Sequence, residues 1–118
     1  MKNETVEAQI NREIANTILA QLGGNKFLAM TGSHQLTYSS KERYLQMKLR
    51  RNASGAQYLK ITLEPNDVYT MEFFKVKTKR ESGFVVDYER VEVKKIEYVY
   101  EDGLQPLFTS ITELRTHL

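Results

Sequence analysis

Apolar residues recur at every fourth position through Val6, Ile10, Ile14, Ile18 and Leu22, and Ala15 and Leu19 widen the stripe. That period predicts an amphipathic helix over about residues 4–22, with Asn3, Gln9, Asn11, Arg12, Glu13, Asn16 and Gln21 filling its other faces. Gly23-Gly24 supplies the residue type that closes a helix in a left-handed conformation. A short second helix is expected from Asn25 to Gly32, with Asn25 as N-cap, Phe27 and Met30 on one side and Gly32 as the stop.

From residue 35 the period changes from four to two. Gln35–Ser39 alternates, then Leu45, Met47 and Leu49 oppose Gln46, Lys48 and Arg50. Leu59, Ile61 and Leu63 repeat the pattern against Tyr58, Lys60, Thr62 and Glu64, and Tyr69, Met71 and Phe73 continue it. Turn chemistry separates these runs at Ser40–Arg43, Asn52–Gly55 and Pro65–Asp67. The phase slips at Phe74 and Val76, which predicts a bulge near Phe73-Phe74. Lys77–Gly83 has the composition of a basic loop. Phe84–Tyr100 is either two strands broken near Glu89-Arg90 or one long strand bent by bulges. Asp102-Gly-Leu-Gln105 fits a capping box, with Pro106 in the first turn. Leu104, Leu107, Phe108, Ile111, Leu114 and Leu118 then make a closing helix over 103–117, with Arg115 and His117 at its negative end.

The pattern predicts one α+β domain spanning residues 1–118. Its strand block, about 35–100, forms a five- to six-stranded, mostly antiparallel meander. The N- and C-terminal helices pack on the sheet face that bears Leu45, Met47, Leu49, Leu59, Ile61, Leu63, Tyr69 and Met71. An edge strand at Gln35–Ser39 is able to pair across a homodimer.

Composition narrows the chemistry. At 41% hydrophobic and 27% charged, the chain falls in the ordinary globular class. No apolar run approaches the ~20 residues of a membrane span, and the polar start, Met1-Lys2-Asn3-Glu4, does not read as an export signal. The expected setting is therefore cytoplasmic, with no membrane partner. Without cysteine there is no disulfide, thiolate nucleophile or zinc–thiolate site. The net charge of +2 is too small to imply nucleic acid by itself, so the distribution of the cations matters more than their sum.

Thr17-Ile-Leu-Ala-Gln-Leu-Gly-Gly-Asn-Lys-Phe27, followed by Met30-Thr31-Gly32, resembles the opening of a family of small proteins encoded by bacteriophages, prophages and other mobile elements. Ile61-Thr62-Leu63 and Leu104-Gln-Pro-Leu-Phe-Thr109 are similar to the same pattern, whereas Lys77–Glu97 is longer and more charged than the family leads one to expect. The resemblance implies an N-terminal helix, a strand block and a closing helix. It implies an accessory role in a host cell and carries no catalytic residues with it.

Titratable groups suited to catalysis are few. His34 and His117 are the only histidines, and no His-x-x-x-His or acidic loop has metal-ligand spacing. Gly23-Gly-Asn-Lys26 follows a helix and lacks the spacing and hydroxyl of a phosphate-binding P-loop. No catalytic residue, cofactor or metal is therefore assigned, and the protein is expected to be non-enzymatic, with a small-ligand or hydrolase site at His34 as the enzymatic alternative. The cations carry the stronger signal. In a meander every second hairpin tip falls at one end of the sheet, which brings Arg50-Arg51 and Lys77, Lys79 and Arg80 to the same end, with His34 near them. Such a rim suits binding to nucleic acid or to a host protein, the latter in the form of an inhibitor of a host defence system. Lys48 and Tyr58 on the outward face, with Lys60, Arg50 and Tyr88, suggest an aromatic and cationic platform of the kind that stacks single-stranded bases.

Overall fold

The computed structural model describes residues 5–116. Two helices, α1 (Val6–Leu22) and α2 (Gly24–Thr31), precede strands β1 (His34–Tyr38), β2 (Tyr44–Lys48), β3 (Tyr58–Leu63), β4 (Tyr69–Glu81) and β5 (Phe84–Val99). A 3₁₀ turn (Glu101–Gly103) then leads into α3 (Leu104–Thr112). The five strands form one antiparallel sheet in the order β1-β2-β3-β4-β5, so the meander and the α+β class are as expected. Met1–Glu4, His117 and Leu118 lie outside the described residues, and with them the expected roles of Asn3, His117 and Leu118.

Thr5 caps α1 by accepting a hydrogen bond from Ala8 N–H at 3.0 Å. Gly23 ends the helix at φ 127°, its N–H bonding to Leu19 and Ala20 carbonyls, and the same residue is the N-cap of α2, so Asn25 lies inside that helix rather than capping it. Gly32 stops α2 in the left-handed region, as predicted. The buried line of α1 is Asn11, Ala15, Ile18 and Leu22, whereas Val6 and Ile10 are 73% and 49% exposed. The helix is thus rotated from the stripe that begins at Val6. Asn11 holds the rotation: its side-chain amide donates to Ser40 O at 3.0 Å in the β1–β2 turn, which satisfies a polar group that would otherwise be buried at a cost.

The core fills the space between the helices and one sheet face. Phe27, Met47, Leu59, Ile61, Met71, Phe73, Leu104 and Phe108 are wholly inaccessible, and Phe108 sits edge-on to Phe27 at 4.8 Å between ring centroids. Asp102 does not form the expected capping box. It lies in the 3₁₀ turn, α3 starts without a side-chain cap, and the Gln105 side chain instead donates to Thr116 O at 3.3 Å. The helix stops at Thr112 with Glu113 in the left-handed region, short of the expected residue 117.

The largest departure from expectation concerns Lys77–Gly83. It is no loop: β4 runs on to Glu81, and only Ser82 (φ 51°) and Gly83 (φ 83°) turn the chain. Two successive positive φ values are the signature of the type I′ turn, whose twist matches that of the flanking strands. Phe84–Val99 is one strand, bent by register shifts opposite Tyr69/Met71, Phe73/Phe74 and Lys79/Arg80. A bulge does lie opposite Phe73-Phe74, but its extra residue, Val93, is on β5; β4 keeps its alternation against β3 there, so the change of apolar parity marks Phe74 turning to the face away from the helices.

Candidate functional site

β3 pairs with β4 only from Tyr69 to Phe74, but β5 follows β4 all the way to Glu81. Beyond Phe74 the sheet narrows to two strands, residues 75–81 and 84–91, forming a ribbon arm roughly 20 Å long at ~3.3 Å per residue. Every residue from Lys77 to Arg90 is exposed. The arm has no helix over it, and its tip region bears Phe84, Val85, Val86 and Tyr88, which are 75%, 39%, 51% and 67% exposed. On one face Lys77 stands directly across from Glu89, and Lys79 from Asp87. On the other face Thr78 lies across from Tyr88, and Val76 from Arg90.

The arm is anchored where it leaves the sheet. The Arg90 guanidinium lies 3.8 Å from the Phe74 ring centre and bonds Glu72 at 2.9 Å, and Tyr58 stacks on the other side of Phe74 at 5.3 Å. Phe74 points away from the helices, yet these neighbours leave it only 5% exposed. Gln57 completes the anchor: its N–H donates to Phe74 O at 2.9 Å, and its side-chain oxygen accepts from Val76 N–H at 3.0 Å.

The sequence-predicted rim is divided in two. Lys48, Tyr58 and Phe74 lie in one row across the sheet. His34 is across from Lys48 on the neighbouring strand, with Nδ1 2.9 Å from Gly32 O, and Arg50 runs over Gly32, where an added Cβ would lie 2.9 Å from Arg50 Cδ. His34, Lys48 and Arg50 thus lie together, and Arg51 follows in an exposed loop. Lys77, Lys79 and Arg80 are at the same end of the sheet, as hairpin parity requires, but far out on the arm. Lys79 is roughly 17 Å past the Phe74 row at ~3.3 Å per residue. The outward platform is closed as well as divided. Lys60 lies 4.4 Å from the Tyr44 ring centre, and Tyr58 is half-buried against Phe74. Each ring already has a partner, Lys60 on Tyr44 and Phe74 on Tyr58, unlike an open base-stacking surface.

Concave features lie elsewhere. A cleft of about 360 Å³ on the far end of the uncovered face is lined by Glu64, Thr70, Glu72, Lys95, Glu97 and Tyr98, among others. Its polar groups are engaged with each other: Thr70 Oγ1 donates to Glu64 at 2.9 Å, Lys95 meets Glu97 at 3.5 Å, and Glu72 holds Arg90. Beside it Tyr69 is almost buried, and desolvation, with the carboxylates of Glu101 and Asp67, pushes its phenol above the ordinary tyrosine value against a lowering bond from Gln21. A second hollow is lined by Leu63, Asp67, Tyr69, Tyr100, Glu101 and Asp102, and a third by the Leu49–Gln57 loop at the foot of the arm. His34 is exposed and lines none of these clefts. Among the described residues no group of three His, Asp or Glu could hold a metal ion, and no helix is long and apolar enough to cross a membrane.

The arm was missed in the sequence because its strands bury neither face, so apolar and polar residues need not alternate. The overlooked signal was Ser82-Gly83, a hairpin dipeptide between two runs rich in β-forming residues. No family model, curated protein or solved structure matches this chain.

Proposed function

We propose that the protein works by binding, without catalysis, and that the arm is the element that contacts a partner protein. The observation that carries this reading is the tip: Phe84, Val85, Val86 and Tyr88 stand in solvent on a two-stranded ribbon. An isolated ribbon is marginal in water, and large exposed apolar side chains on a projecting element are characteristic of interaction surfaces. Aromatic residues rimmed by charges also match the anchors that dominate protein interfaces. The resemblance of residues 17–32 to phage and prophage proteins implies a host protein as the target, and an inhibitor of a host process as the form of action. The test is affinity capture from the native cell with wild type and with Phe84→Ser, Val86→Ser, Tyr88→Ser combined. A partner retained by the wild type and lost by the variant supports the reading. A partner held equally well by both overturns it.

One observation favours a second reading. A two-stranded ribbon is of a size to enter the major groove of DNA, and Lys75, Lys77, Lys79 and Arg80 lie along one of its strands. Against it, Glu89 and Asp87 sit across from Lys77 and Lys79, so that face alternates cationic and acidic columns and offers a polyanion no continuous cationic strip. Nucleic-acid binding that weakens steeply with salt, and that is lost on changing Lys79, Arg80, Arg50 and Arg51 to Ala, would establish this alternative.

A further inference from the structure

The arm has an unoccupied strand position. β3 occupies the row beside β4 as far as Tyr58, and Gln57 then leaves the row, while β4 continues to Glu81. In β4 the even-numbered residues direct their backbone groups toward that row: Phe74 O accepts from Gln57 N–H, and Val76 N–H is capped by the Gln57 side chain. The alternation of an extended strand then turns the N–H and C=O of Thr78 and Arg80 to the same side. Among the described residues no strand fills the row past Gln57. The row is therefore an exposed edge about five residues long, at the centre of the apolar and charged arm.

Side-chain chemistry states what fits there. Lys77 and Lys79 share one face, and β5 already answers them with Glu89 and Asp87 directly across. A strand added on the vacant side meets the same two lysines, so it is favoured by acidic residues at alternate positions. On the opposite face it meets Thr78, next to Tyr88, which favours apolar or β-branched residues. A second copy of this chain fits less well. A two-fold pairing of β4 with β4 brings the lysines together, and β5 with β5 brings Asp87 and Glu89 together, and like charges across a ladder are destabilising.

We infer that the edge of β4 from Val76 to Glu81 accepts an extended segment of a partner protein, acidic at alternate positions, as an added strand that continues the β3 row. This rests on the reading of the arm as the docking element, and it specifies how docking occurs: main-chain bonds hold the segment, and the lysines select it.

The probe is a blocked heptapeptide of alternating valine and glutamate, with its valine–lysine counterpart as control, titrated into the isotopically labelled protein and followed by amide chemical shifts. The inference expects the largest shifts at Val76, Thr78 and Arg80, and binding about fivefold weaker for the lysine peptide. Thr78→Pro removes a donor that faces the vacant row and no bond to β5, so it should abolish these shifts while the amides of Tyr88–Val91 keep their positions. Lys77→Glu with Lys79→Glu, which retains every backbone donor, should reverse the preference between the peptides. Shifts on the β5 edge or in the Arg50–Gln57 loop, or equal binding of both peptides, overturn the inference. So does concentration-dependent self-association abolished by Thr78→Pro, which would assign the row to a second copy. If the arm-tip variant loses its captured partner while Thr78→Pro retains it, strand addition is wrong and the arm remains the docking element.

Discussion

Replacing Arg90 with alanine tests how the arm is joined to the sheet. The guanidinium stacks on Phe74 at 3.8 Å and pairs with Glu72 at 2.9 Å. A stacked cation at a partly exposed site contributes about 0.5–1 kcal/mol. The ion pair, with its side chains 45% and 23% exposed, contributes about 0.5 kcal/mol after solvent screening. Truncation also uncovers one face of the Phe74 ring, roughly 40 Å² of apolar surface, worth about 1 kcal/mol at ~25 cal/mol per Å². Arg90→Ala should therefore cost about 2 kcal/mol in urea unfolding, or about 8 °C in Tm from an unfolding entropy of ~2.1 cal/mol/K per residue. Arg90→Lys keeps the charge but loses the planar stack, and should recover about half of the loss. In a double-mutant cycle with Glu72→Gln the coupling should be about 0.5 kcal/mol. Hydrogen exchange should quicken at Lys75–Glu81 in Arg90→Ala beyond what the global loss accounts for. A change in stability below about 0.5 kcal/mol, with exchange in the arm unaltered, would refute the anchoring role of Arg90.

Other consequences can be checked independently. Phe108→Ala removes a ring that is wholly buried between Phe27 and Phe73, and should cost about 3–5 kcal/mol in chemical denaturation. Thr31→Val deletes a buried hydroxyl that donates to Phe27 O at 2.8 Å and accepts from Ser33 Oγ, so a loss of about 1–2 kcal/mol is expected by the same assay. Ser82→Asn places a residue tolerant of positive φ before Gly83, and should slow exchange within the arm while Tm stays within a degree or two. Tyr69 is kept neutral in the folded state above the pH at which the unfolded chain ionises, so the folded form binds more protons there. Its contribution is complete below about pH 10 and is lost as pH rises through the elevated folded value. Tyr69→Phe should accordingly flatten the alkaline decline of stability, as measured by denaturation between neutral pH and pH 11.

Which features could be read from the sequence depended on what each side chain buries. β2 and β3 alternate cleanly because Leu45, Met47, Leu59 and Ile61 face the helices while Gln46, Lys48, Lys60 and Thr62 face outward. The apolar change of parity at Phe73-Phe74 was legible but had a different cause: β4 stays in register with β3, and Phe74 is apolar on the outward face because Tyr58 and Arg90 cover it, while the bulge opposite lies on β5. In α1 two adjacent rows of residues were each apolar enough to form the core face. The choice went to the row through Asn11 because of a bond to Ser40, residues distant in sequence, which no local pattern encodes. The arm was illegible because composition alone makes Lys77–Glu81 look like a loop. Its order comes from pairing with β5 across the Ser82-Gly83 turn and from the contacts of Arg90 with Phe74 and Glu72, which lie 16 and 18 residues away. The candidate site shares this fate. The cations were identifiable one by one, but the length of β4 decides that Lys79 and Arg80 lie apart from Arg50 and Arg51.

Hydrogen exchange of the protein alone and in complex with its captured partner tests most directly whether the arm is the docking element. The prediction is strong protection gained at residues 75–91 on binding, greatest at Thr78 and Arg80, with little change at Arg50–Gln57. Unchanged exchange in the arm, with protection appearing at His34, Lys48, Arg50 and Arg51 instead, would contradict it.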